Sequence, residues 1–141
     1  MHLLDVNVLI ARADSSHPHH DLAMNWMAGQ REGWATCPIT ENGMLRILAS
    51  PRYPGNGTGS LEIAAAILQG LVAAISGHEF FPDDLSLPGE IPSLSGIRST
   101  ELTDVYLLAL AVRHGIKFLS LDRKIDPGVV PGGSQAFELL S

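Results

Sequence analysis

The chain has 141 residues, of which 45% are hydrophobic and 17% charged, and its formal net charge is −6. A chain of this length buries roughly 70% of the surface its unfolded form exposes, which suits one globular domain and excludes a disordered tail or a fibrous repeat. Cys37 is the only cysteine, so an intrachain disulfide and a cysteine-built zinc site are excluded as well.

His2 to Asp5 reads as a short buried strand, and Val6 to Ala13 as a helix whose Val6, Leu9 and Ile10 suit an inner face. An acid at position 5 falls where a signal peptide would carry its apolar stretch, and no later segment reaches the length of a membrane span. A cytoplasmic protein is the expectation. Pro18 is placed as the first residue of a second helix, whose Leu22, Ala23, Trp26 and Met27 recur at helical spacing up to Gly29. Trp34 to Cys37 reads as the second strand. Pro38 closes it, and Thr40 is the expected N-cap of a helix with Glu41 in its first turn and Met44, Leu45 and Leu48 buried.

A Gly- and Pro-rich loop follows, after which Ser60 caps a helix with Leu61, Ala65, Leu68, Val72 and Ile75 on one face and Gly77 as its stop. Phe80 and Phe81 mark a third strand. Residues 82–99 read as loop with a short helical turn, since they hold Pro82, Pro88 and Pro92 with Gly89 and Gly96. Thr103 to His114 is an almost wholly apolar helix with Thr103 as N-cap, Asp104 in its first turn and Gly115 past its end. Lys117 to Leu121 is a strand ending at Asp122, and Gln135 to Leu139 a closing edge strand. Strands separated by helices predict a parallel sheet with helices on both faces, a three-layer α/β/α sandwich over residues 1–141.

Asp5, Glu41, Asp104 and Asp122 each stand where a strand ends or a helix begins. In a parallel sheet such junctions lie along the rim where ligands bind. Each acid taken alone has a plain structural explanation, because the helix macrodipole stabilises carboxylates in the first turn by about 0.3–1 kcal/mol. Together they suit a hard divalent cation such as Mg²⁺ or Mn²⁺, which prefers oxygen donors and takes few carboxylates directly. The net charge of −6 does not exclude a phosphate-bearing partner, because cations bound at these acids would make the site attractive to phosphate.

The runs Leu3-Leu4-Asp5-Val6-Asn7-Val8-Leu9-Ile10, Cys37-Pro38-Ile39-Thr40-Glu41-Asn42-Gly43, Thr103-Asp104-Val105-Tyr106-Leu107-Leu108-Ala109 and Ser120-Leu121-Asp122-Arg123 resemble, in order, the four acidic blocks of the PIN-domain nucleases. The resemblance spans nearly the whole chain and is nearest in kind to the small VapC-like toxins of bacterial toxin–antitoxin pairs. It implies that Asp5, Glu41, Asp104 and Asp122 form an acidic quartet that binds Mg²⁺ or Mn²⁺ and cleaves RNA, leaving a 5′-phosphate and a 3′-hydroxyl. It further implies an RNA substrate, a small antitoxin partner and a homodimer.

Asn7, Thr40 and Ser120 lie near the acids and carry groups that bond a ligand carboxylate or a substrate phosphate. Local capping is the plainer role for Thr40, while both roles stay open for Asn7 and Ser120. Arg123 is a candidate phosphate clamp or an ordinary surface arginine. Arg46, Arg52 and Arg98 are candidates for an RNA backbone. His17, His19 and His20 read as a solvated helix start, and Cys37 as a small buried apolar residue. Two other functions fit the fold class. A phosphatase of the haloacid-dehalogenase type needs a second acid where this chain has Asn7, and a non-catalytic binding module has no need of four mutually repelling acids.

Overall fold

The computed structural model describes residues 1–141. Its strands are β1 (His2–Leu4), β2 (Trp34–Thr36), β3 (His78–Phe80), β4 (Lys117–Ser120) and β5 (Phe137–Leu139). Its helices are α1 (Val6–Ala13), α2 (His20–Gly29), α3 (Pro38–Ala49), α4 (Leu61–Ala74), α5 (Leu87–Glu90), α6 (Leu102–Arg113) and α7 (Gly133–Ala136). All strand pairs are parallel and the order is β3-β2-β1-β4-β5. The expected α/β/α sandwich is what forms.

Alternation along each strand builds the layers, because successive side chains leave a strand on opposite faces. Leu3, Ala35 and Phe118 join one core, with Leu87 of α5 and the run Leu107 to Ala111 of α6. Leu4, Trp34 and Leu119 join the other, with residues of α1, α2, α3 and α4. The apolar α6 is thus buried, as its composition predicts. No helix is long and apolar enough to cross a membrane.

Several boundaries differ from the sequence expectation, each for a local reason. The turn bond from His20 N–H to the His17 carbonyl delays α2, so Pro18 lies in the turn ahead of it. Pro38 takes the first position of α3, where a missing N–H costs nothing, and Cys37 is the cap residue. Thr40 therefore sits one turn inside α3, where its hydroxyl accepts from Cys37 N–H at 3.0 Å and stands 3.1 Å from the Cys37 carbonyl. Thr103 is not a cap either, because a 3-10 turn over Ser99–Glu101 already leads the backbone into α6. Gln135 belongs to α7, which shortens the last strand to three residues.

The face of α4 also differs. Ala64, Leu68 and Leu71 are buried, whereas Leu61 is 62% exposed. Ile63, Ala64, Ala65, Ala66 and Ile67 make this helix apolar nearly all round, so periodicity does not single out one stripe.

Two features position the site. The strand order reverses at β1, so the ends of β1 and β4 flank the crevice where ligands bind in open parallel sheets. Below it, α3 lies against the start of α1 so closely that a Cβ on Gly43 would meet Val6 Cγ2 at 2.7 Å. The opposite rim is tied by polar contacts: His2 Nε2 stands 2.9 Å from Glu138, Lys117 Nζ 3.7 Å from the same carboxylate, and the Met1 amine 3.5 Å from Glu32.

Candidate metal centre

Asp5 follows β1 directly and caps α1, its Oδ1 accepting from Val6 N–H at 2.7 Å. Its Oδ2 accepts from the Ser120 hydroxyl at 2.6 Å. That hydroxyl is a hub, because it also accepts from Asn7 Nδ2 at 3.1 Å and from Asp122 N–H at 3.0 Å. One proton and two lone pairs are all that a serine hydroxyl has, and every one is used. Asn7 closes the arrangement by accepting from Leu121 N–H at 3.1 Å. Asn7 and Ser120 thus lock the end of β4 onto the start of α1.

Ser120 is fully buried, so Ser120→Ala would leave the Asp122 N–H and the Asn7 amide without an acceptor and Asp5 Oδ2 without its donor. The expected loss is about 2–3 kcal/mol of folding free energy, read as a lower urea midpoint at unchanged slope.

Burial raises the pKa of Asp5; the Asp122 charge adds to the rise, and the bonds from Ser120 and Val6 oppose it. Asp104, in the first turn of α6, is pushed up to about 6 by burial and then by the charges of Asp5, Asp122 and Glu101. Asp122 lies just past β4, its Oδ1 accepting from Lys124 N–H at 2.8 Å. Three aspartates therefore act on one another across the switch-point crevice. Asp104 is the wall shared by two clefts. One is lined with Asp5, Asn42, Gly43, Arg46 and Thr103, the other with Asp122, Arg98, Glu101 and Lys124.

Glu41 stands apart from this group. Its Oε1 accepts from Thr36 Oγ1 at 2.7 Å, and the charge of Glu41 is felt by His78 rather than by Asp5 or Asp104. No three His, Cys, Asp or Glu side chains converge closely enough to grip an ion as they stand. The donor set nonetheless fits a hard divalent ion. It is all oxygen, Mg²⁺ takes only one or two carboxylates directly, and a bound cation would relieve the repulsion that raises Asp104.

The remaining candidates divide. Arg46 and Arg98 border the clefts, whereas neither Arg52 nor Arg123 lines them; both are exposed. Arg98 is paired with Glu101 at 2.5 Å. Cys37 is fully buried, and His20 Nδ1 bonds the Ala11 carbonyl at 2.8 Å. Sequence reasoning passed over Glu101 and Lys124. Glu101 lies three residues before Asp104, a helical spacing that puts both on one face, so its signal was present.

Comparison with known proteins places the chain in a family. A family model described as PIN domain matches residues 2–127. Ribonuclease VapC44 of Mycobacterium tuberculosis is 41% identical over 137 residues, covering 94% of each chain. Ribonuclease VapC38 of the same organism is 40% identical, covering 86% of this chain and 85% of its own. Among solved structures, the Mycobacterium tuberculosis toxin VapC20, described as cleaving the sarcin-ricin loop, superposes with a TM-score of 0.64. It shares 15% identity over 88% of this chain and 92% of its own, and so speaks for the fold alone. With a matching family model over most of its length and relatives at about this identity, the chain belongs to the PIN domain family.

Proposed function

We propose that the chain is a divalent-metal-dependent endoribonuclease, one nuclease domain over residues 1–141, acting as the toxin of a toxin–antitoxin pair. The observation that carries the reading is the trio Asp5, Asp104 and Asp122 at the β1/β4 switch point, with Asp104 pushed up to about 6 by burial and by the other two charges. Relatives named Ribonuclease VapC, 40–41% identical over most of the chain, support RNA as the substrate.

Asp5, Asp104 and Asp122 are the residues that would hold Mg²⁺ or Mn²⁺, with Glu41, held by Thr36, the fourth candidate. A divalent cation bound there supplies a nucleophilic water at neutral pH and neutralises charge developing on the phosphate. Ser120 orients Asp5 by donating to its Oδ2, a bond that opposes the rise burial imposes on its pKa. Arg46 in one cleft and Arg98 and Lys124 in the other offer cations to the phosphates on either side of the cut. The phosphatase alternative loses its acid, because the amide of Asn7 is committed to Ser120 and Leu121.

A small antitoxin that holds the nuclease inactive is the proposed partner, and a homodimer the proposed assembly. Exposed Leu61 and Ile63 on α4 give apolar surface for such contacts. The cytoplasm, where RNA is met, is the proposed site of action. The deciding experiment incubates the protein with total cellular RNA and Mn²⁺ and maps the new 5′ ends. Discrete 5′-phosphate ends that vanish with chelator are expected. Absence of such ends at millimolar Mn²⁺ would overturn the reading.

A further inference from the structure

Glu41 is held by an arm of two side chains that the metal centre itself does not include. Thr36 Oγ1 donates to Glu41 Oε1 at 2.7 Å and stands 2.8 Å from His78 Nε2. A hydroxyl has one proton. That proton goes to the carboxylate, so the Thr36 oxygen accepts from His78, and His78 carries its proton on Nε2. The donor and acceptor roles along the arm are thereby fixed from end to end.

Both supports are rigid. Thr36 is fully buried at the end of β2, and His78 opens β3, paired in register with Trp34. The His78 ring centroid lies 4.5 Å from that of Trp34, which is itself fully buried and donates from Nε1 to the Ile75 carbonyl at 3.3 Å. Valine would fill the place of Thr36 with the same shape and no buried hydroxyl, so packing does not call for threonine. Glutamate has large rotamer freedom, and an acid in the first turns of α3 keeps that freedom unless something takes it away.

We propose that Thr36 and His78 are positioning residues that fix the Glu41 carboxylate for the metal-dependent reaction, an inference that rests on the ribonuclease reading. Neither lines the two clefts beside the trio. An acid set apart from the trio would act on a bound hard ion through its hydration shell, since such an ion keeps several of its waters. Its position then matters as much as its charge. Supporting groups of this kind change metal affinity or activity by about 10–100-fold when removed.

The test uses the full chain and compares wild type with Thr36→Val, Thr36→Ser, His78→Phe and His78→Gln. Mn²⁺ affinity is measured by calorimetry, kcat and KM on single-stranded RNA, the His78 tautomer by ¹⁵N NMR, and folding by the melting temperature. Thr36→Val and His78→Phe are expected to lower Mn²⁺ affinity or kcat by about 10–100-fold with KM unchanged. Thr36→Ser and His78→Gln keep a hydroxyl and an N–H donor and are expected to stay near wild type. Wild-type His78 is expected to be protonated on Nε2, and Thr36→Val to disturb that preference.

The inference is overturned if Thr36→Val and His78→Phe change only the melting temperature while affinity and kcat hold. It is overturned equally if the wild type binds no Mn²⁺, or if His78 is protonated on Nδ1 alone. A wild type that binds Mn²⁺ yet cuts no RNA would sink the ribonuclease reading alone, and the affinities of the variants would still decide the arm.

Discussion

Asp104→Asn is expected to reduce RNA cleavage by a factor on the order of 10²–10³ and, in the same protein, to raise the stability of the metal-free fold. The first effect would follow from losing a proposed ligand of a cation that would supply several kcal/mol of transition-state stabilisation, each 1.36 kcal/mol being about tenfold in rate. The second follows from removing a repelled carboxylate. Asp104 is pushed up to about 6 from an ordinary value of 3.8, so at neutral pH its ionised form opposes folding. The residue is only half-buried and partly screened by water, which leaves a gain of about 1 kcal/mol, or roughly 3–5 °C in Tm. A variant that loses activity and stability together would mark Asp104 as structural.

The same shift sets a pH dependence. The folded state binds its proton on Asp104 more tightly than the unfolded chain, so the metal-free wild type is favoured at low pH and loses stability as pH rises from about 4 through about 6. Asp5, raised in the same direction, adds to that slope. Denaturant midpoints measured across this window for wild type and Asp104→Asn should differ in slope, with the variant the flatter of the two.

The second large effect is produced by metal. Mg²⁺ or Mn²⁺ at a hundred times its Kd is expected to stabilise the wild type by about 2.7 kcal/mol, and Asp104→Asn much less. Differential scanning fluorimetry over a metal titration reads this directly. The response also steepens with pH, because ions compete with protons for the aspartates. A wild-type melting curve that ignores millimolar Mn²⁺ would remove the ground for the metal site.

Much of this was legible in the residues themselves. Asp5 and Asp122 follow apolar strands, and Asp104 opens an apolar helix, so their places on one rim come from strand and helix patterning alone. The three-layer arrangement came from the same source. Glu41 was less legible, because its outlook depends on where α3 begins. With Cys37 rather than Thr40 as the cap residue, Glu41 moves from the helix entrance to one turn inside it, within reach of Thr36. The Ser120 hub could not be read at all, since its bond to Asp5 joins residues 115 positions apart, and only pairing of β1 with β4 brings them together. Lys124 escaped notice for a similar reason: the turn closed by its bond to Asp122 places it at the cleft.

Because every strand runs the same way, the molecule separates its duties in space. The starts of the strands are laced by the pairs around Glu32 and Glu138, while the ends carry the aspartates and the loops between them. The segments outside the ladder are themselves anchored, 51–59 through Tyr53 to Asp14 and 82–98 through Leu85, Leu87 and Ile91 in the core. One edge of the sheet thus serves cohesion and the other is left for chemistry.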